Sequence, residues 1–144
     1  MDAVDPVREL RLVLTVDDWP TAVRFYRDVL GLAQVADFSS NDGQVVLLSA
    51  GRATLEVVDA RQAEYIDRVE VGRRVAGQVR VAFEVADAVS TTDRLTTGGA
   101  EVLAPPTRTP WDSLNARLEA PGGLQLTLFE ELGSWARPIA PTGR

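Results

Sequence analysis

The sequence predicts an α+β domain built from two βαβββ modules. Three observations lead there. An alternating apolar strand followed by a capped amphipathic helix occurs at residues 11–31 and again at 79–99. Each helix is followed by strand-length apolar runs separated by glycine-containing turns. The composition, 45% hydrophobic and 25% charged over 144 residues, suits one compact globular domain.

In the first module, residues 11–16 alternate so that Leu12, Leu14 and Val16 share one strand face. Asp17 or Asp18 can cap the following helix, and Pro20 suits its first turn. Ala22, Val23, Phe25, Tyr26, Val29 and Leu30 form its apolar stripe, and Gly31 ends it where a left-handed residue is needed. Residues 33–38, 45–48 and 54–58 read as strands, with Asn41-Asp42-Gly43 and Ser49-Ala50-Gly51-Arg52 as turns. The second module restarts at residues 79–85, with Val79, Val81, Phe83 and Val85 on the buried face. Asp87 caps a helix reaching about Thr97, and Gly98-Gly99 stops it. Residues 100–103, 113–119 and 124–129 are the last three strands, with 105–110 as a loop and Pro121-Gly122-Gly123 as the final turn. The domain is expected at 8–132, with modules at 8–60 and 78–132, a polar, helix-compatible connector at 61–77 and a tail at 133–144.

Composition removes several kinds of chemistry. The chain has no His, no Cys and no Lys, so thiolates, disulfides, imidazole ligands and a lysine Schiff base are all excluded. All fifteen basic residues are arginine, the net charge is −6, and only Arg73-Arg74 are adjacent. That pattern is no nucleic-acid footprint. No apolar run approaches the ~18–20 residues that span a bilayer. The acidic start, Met1-Asp2-Ala3-Val4-Asp5-Pro6, lacks the basic and apolar regions of a signal peptide, so a cytoplasmic location is expected.

The segments Leu14-Thr15-Val16-Asp17-Asp18 and Arg24-Phe25-Tyr26-Arg27-Asp28-Val29-Leu30-Gly31-Leu32 resemble the vicinal oxygen chelate superfamily. Gly99-Ala100-Glu101-Val102, Pro110-Trp111 and the run from Arg117 to Leu126 resemble its second module, so the likeness covers roughly residues 8–132. That superfamily includes glyoxalase I, extradiol dioxygenases, fosfomycin-resistance enzymes and bleomycin-resistance proteins. The resemblance implies strands curled into a cup-shaped mixed sheet, with helices packed outside. It also implies metal ligands on the first and fourth strands of each module. Those positions here are Arg11, Glu56, Arg80 and Thr127. The family pattern has histidine at the first and third, and carboxylate at the second and usually the fourth, so only Glu56 is retained. Arginine repels a cation and does not deprotonate at workable pH, so no metal and no other cofactor is expected.

Alternation places Arg11, Arg80, Ala82, Glu84, Glu56 and Thr127 on the polar side of their strands. Two readings of Arg11, Arg80 and Glu56 stand open: an ion pair that fixes the modules, or a ligand-binding arginine with Glu56 as general base. Trp111 follows the loop 105–110, which borders the cavity in the proteins this chain resembles, and it can stack on a flat or cationic compound or simply anchor the loop. Asn115 and Arg117 are further candidate lining residues. The leading functional expectation is a non-catalytic protein of the bleomycin-resistance type, binding a small aromatic or cationic molecule as a homodimer. The alternatives are a lyase, isomerase or dioxygenase, either metal-free with Glu56 as acid–base or using a metal site of other residues, and a scaffold with a vestigial cavity.

Overall fold

The computed structural model describes residues 11, 12, 14, 16–53, 56 and 58–133. The chain divides into two compact units, Met1–Val57 and Val58–Arg144. The expected strands at 11–16 and 54–58 fall partly outside the described residues (13, 15, 54, 55 and 57), as does the tail from 134 onward.

In the first unit, helix α1 spans Trp19–Val23. Asp18 caps it, accepting from the Thr21 amide at 3.2 Å and the Thr21 hydroxyl at 2.8 Å, which satisfies one of the orphan donors at the helix start. A regular helix was expected through Leu30, but from Arg24 to Val29 the helix widens. The Leu30 amide donates to the Phe25 carbonyl, five residues back, at 2.8 Å. Ala22, Val23, Phe25 and Tyr26 of the anticipated stripe are buried, and the Phe25 and Tyr26 rings meet edge-on at 5.1 Å. Strands β1 (Gln34–Asp37) and β2 (Val46–Leu48) pair antiparallel through the expected turn, where Ser40 bridges Gly43.

The second unit contains α2 (Ala60–Glu70), β3 (Val81–Glu84), α3 (Ala88–Thr97), β4 (Glu101–Arg108), β5 (Ser113–Ala120) and β6 (Leu124–Glu131). Its sheet has the order β3-β6-β5-β4, with β3 parallel to β6 and the other pairs antiparallel. This is a complete βαβββ arrangement, preceded by α2. Two local expectations need correction. Val79 is 65% exposed, because the strand begins only at Val81. Residues 105–108, read as loop, continue β4. Pro105 and Pro106 are tolerated there because β4 is an edge strand, and the β4–β5 register shifts across them.

The two faces of this sheet differ. Ala116 and Leu118 of β5, with Leu126 and Leu128 of β6, lie on the face that packs against α3, whose Ala88 and Leu95 are fully buried. Glu130 shares that face and accepts from the Ala88 amide at 2.9 Å, while Asp87 accepts from the Ser90 amide at 3.0 Å. Two of the four orphan amides of α3 are thereby satisfied. Glu130→Ala is expected to lower stability by about 1 kcal/mol, checked by the urea midpoint against wild type; an unchanged midpoint would show the cap to be idle. The opposite face carries Asn115, Arg117, Gln125 and Thr127, and it is this face that α2 meets.

Candidate functional site

The polar face of β5 and β6 is closed by side chains of α2. Asp67 and Glu70 are three residues apart, so they project from one side of the helix. Arg117, in the middle of β5, points at both. Its Nη1 donates to Asp67 Oδ1 at 2.8 Å, and its Nη2 donates to Glu70 Oε1 at 2.7 Å. All three side chains are essentially inaccessible to solvent. Nη1 also donates to Gln125 Oε1 at 2.8 Å, while Nε is buried without a hydrogen-bond partner.

Both carboxylates are bonded further. Gly72, at φ 90°, turns the chain back after α2, a conformation that a side chain would strain. The Val75 and Ala76 amides then reach Asp67 Oδ2 at 2.7 and 2.8 Å, and Arg74 Nη1 joins them at 2.8 Å. Burial by itself raises the Asp67 pKa. The Ala76 amide, the Arg117 guanidinium, the Val75 amide and Arg74 outweigh it and hold the carboxyl well below its ordinary value. Glu70 Oε2 accepts from Asn115 Nδ2 at 2.6 Å, Asn115 Oδ1 accepts from Ser113 Oγ at 2.7 Å, and Ser113 Oγ lies 2.8 Å from Thr109 Oγ1. Burying ions costs several kcal/mol each, and such a cluster persists only when nearly every donor and acceptor is matched.

Within the second unit the expected site residues fall into three settings. Arg80 and Thr127 are brought together, with Arg80 Nη1 donating to Thr127 Oγ1 at 2.7 Å and the hydroxyl buried. Asn115 and Arg117 belong to the buried cluster rather than to an open surface. Trp111 sits in the β4–β5 turn, half-buried, with its ring 5.9 Å from that of Tyr65 and tilted by 57°. Arg11 and Glu56 are exposed residues of the first unit. Tyr26 is mostly buried, and burial pushes its phenol up to about 12, so it remains a neutral packing ring at neutral pH.

The residues at the metal positions of the resemblance do not fit a divalent ion. The Thr127 hydroxyl oxygen already accepts a hydrogen bond from a permanent cation, Arg80, and Glu56 is the sole carboxylate of the four. Among the described residues, no group of three Asp or Glu is arranged to hold a metal.

Sequence reasoning missed Asp67, Glu70 and Tyr65, because residues 61–77 read as a polar connector. The spacing of Asp67 and Glu70 beside Ile66 shows that they share a helix side. Nothing local shows that this side faces a strand fifty residues later.

Comparison with known proteins adds the family. Residues 9–128 match the family model described as Glyoxalase/Bleomycin resistance protein/Dioxygenase superfamily. No curated protein matches the chain. Among solved structures, a superfamily member from Sphaerobacter thermophilus DSM 20745 is 27% identical with a TM-score of 0.55, covering 82% of this chain and 92% of its own. A protein of unknown function from Agrobacterium tumefaciens str. C58 is 24% identical with a TM-score of 0.61, covering 90% and 98%. TnmS3, an antibiotic binding protein from Streptomyces sp. CB03234, is 20% identical with a TM-score of 0.59, covering 89% and 99%. These likenesses bear out the expected fold class.

Proposed function

Since this chain belongs to the glyoxalase/bleomycin resistance protein/dioxygenase superfamily, we propose that it is a metal-independent binding protein for a small, aromatic or cationic, antibiotic-like molecule. The observation that carries this reading is the Arg80–Thr127 hydrogen bond. It puts a guanidinium on the oxygen that stands at a metal-ligand position, where a metal-dependent lyase or dioxygenase needs an anionic or neutral donor. Support for an aromatic ligand comes from the Trp111–Tyr65 pair, two large rings that keep part of their surface accessible. The net charge of −6 favours a cationic compound in a general way. TnmS3, an antibiotic binding protein, points in the same direction by analogy of fold alone. A homodimer in the cytoplasm is part of the proposal.

The test is a titration of the purified full chain with planar aromatic amines, phenols and carboxylates, read by tryptophan fluorescence, together with elemental analysis. Saturable one-to-one binding without turnover and without stoichiometric metal is expected. A stoichiometric transition metal, or no binding across the panel, overturns the reading.

A further inference from the structure

We propose that Tyr65 is the ring on which the ligand stacks, and that Asp67, Glu70 and Arg117 are positioning residues that hold that ring in place. This deepens the reading above and rests on it. Tyr65 lies mid-way along α2, turned away from the side that carries Asp67 and Glu70. One part of its ring packs on Trp111, yet the residue is still 37% exposed. The rest of Tyr65 borders an open, shallow depression on the outer side of α2, lined also by Asp59, Arg61, Gln62, Glu64 and Arg68.

The chemistry of the lining defines the ligand class. Two carboxylates and two guanidiniums surround a single aromatic ring, and Glu64 is paired with Arg68 at 3.4 Å. A rim balanced in charge, with many donors and acceptors, suits a planar aromatic compound whose substituents form hydrogen bonds. Trp111 does not line the depression; it backs Tyr65 and reports on it.

The positioning role follows from how α2 is held. Ile66 is its one buried apolar side chain; Asp67 and Glu70 are its other buried residues. The rotation of the helix about its axis is therefore set by the fork in which Arg117 grips one carboxylate with each terminal nitrogen. Arg117 and Asn115 then act on the ligand only through α2, not by touching it.

The experiment uses the full chain carrying Trp19→Phe and Trp135→Phe, so that Trp111 is the only tryptophan, with proflavine as the planar aromatic probe. Saturable quenching of Trp111 is expected. Tyr65→Ala should weaken binding about tenfold or more, and Tyr65→Phe should stay within about threefold of the parent, since the ring and not the hydroxyl is used. Glu70→Gln should weaken binding as well, and adding it to Tyr65→Ala should weaken it no further, because it acts through that ring. If the parent binds proflavine and Tyr65→Ala binds it equally well, the proposal is overturned while the binding reading stands. Additive effects of Glu70→Gln and Tyr65→Ala overturn the positioning role. Absence of proflavine binding by the parent overturns the stacking role of Tyr65, and the binding reading falls with it only if the whole aromatic panel also fails to bind.

Discussion

Replacing Arg117 with methionine is expected to destabilise the protein by about 3–5 kcal/mol, the usual result of removing one partner from a buried ion cluster. The aliphatic stem is retained, so the loss is electrostatic rather than a packing defect. Glu70 would keep only the Asn115 amide, and Asp67 would keep Arg74 and two backbone amides, with both charges still out of water. The size of the effect comes from the charges left behind, not from the intrinsic strength of the pair. Combining Arg117→Met with Glu70→Met should therefore recover part of the loss, because no second charge is stranded. Urea denaturation of the two single variants and the double variant measures this as a coupling energy. A loss under about 1 kcal/mol for Arg117→Met would show that the cluster does not hold the second unit together.

Asp67→Asn is expected to cost about 2–4 kcal/mol at neutral pH and to flatten the acid limb of the stability curve. Both carboxylate oxygens face donors only, so in either orientation the asparagine NH2 meets another donor, the Arg117 guanidinium or the Val75 and Ala76 amides with Arg74. The sign of the pH effect follows from the depressed pKa of Asp67. In the unfolded chain its carboxyl takes up a proton near its ordinary value of 3.8, whereas in the folded protein it stays ionised to lower pH. The unfolded state thus binds more protons as the medium is acidified. The stabilisation is fully present well above pH 3.8 and is lost as pH falls below it. Wild type should lose stability more steeply than Asp67→Asn between about pH 5 and pH 3. Parallel curves from urea denaturation across that range would overturn the assignment.

Both effects centre on a segment whose importance local pattern could not reveal. Its helical character was readable: Asp59 caps α2 and accepts from the Gln62 amide at 2.8 Å. Its role as a lid on the β5–β6 face was not, because its partners Asn115 and Arg117 lie 45 to 50 residues further along the chain. The widened turn at Arg24–Val29 was invisible for a related reason, since its apolar stripe fits a regular helix equally well. The extension of β4 through Pro105 and Pro106 depended on sheet order: proline is refused by a central strand and accepted at an edge.

By itself, the sequence determined the βαβββ arrangement of the second module, the cap at Asp87, a cap at Asp17 or Asp18, and the exclusion of thiol, imidazole and lysine chemistry. Those are properties of neighbouring residues and of composition, which alternation, helical period and turn stereochemistry make readable. Only the tertiary structure decided that Arg117 is locked between two carboxylates, that Thr127 is engaged by Arg80, and that Tyr65 stands beside Trp111. Each of these depends on charges and rings distant in sequence meeting where water is partly or wholly excluded. There, partnership outweighs residue type in determining what a side chain can do.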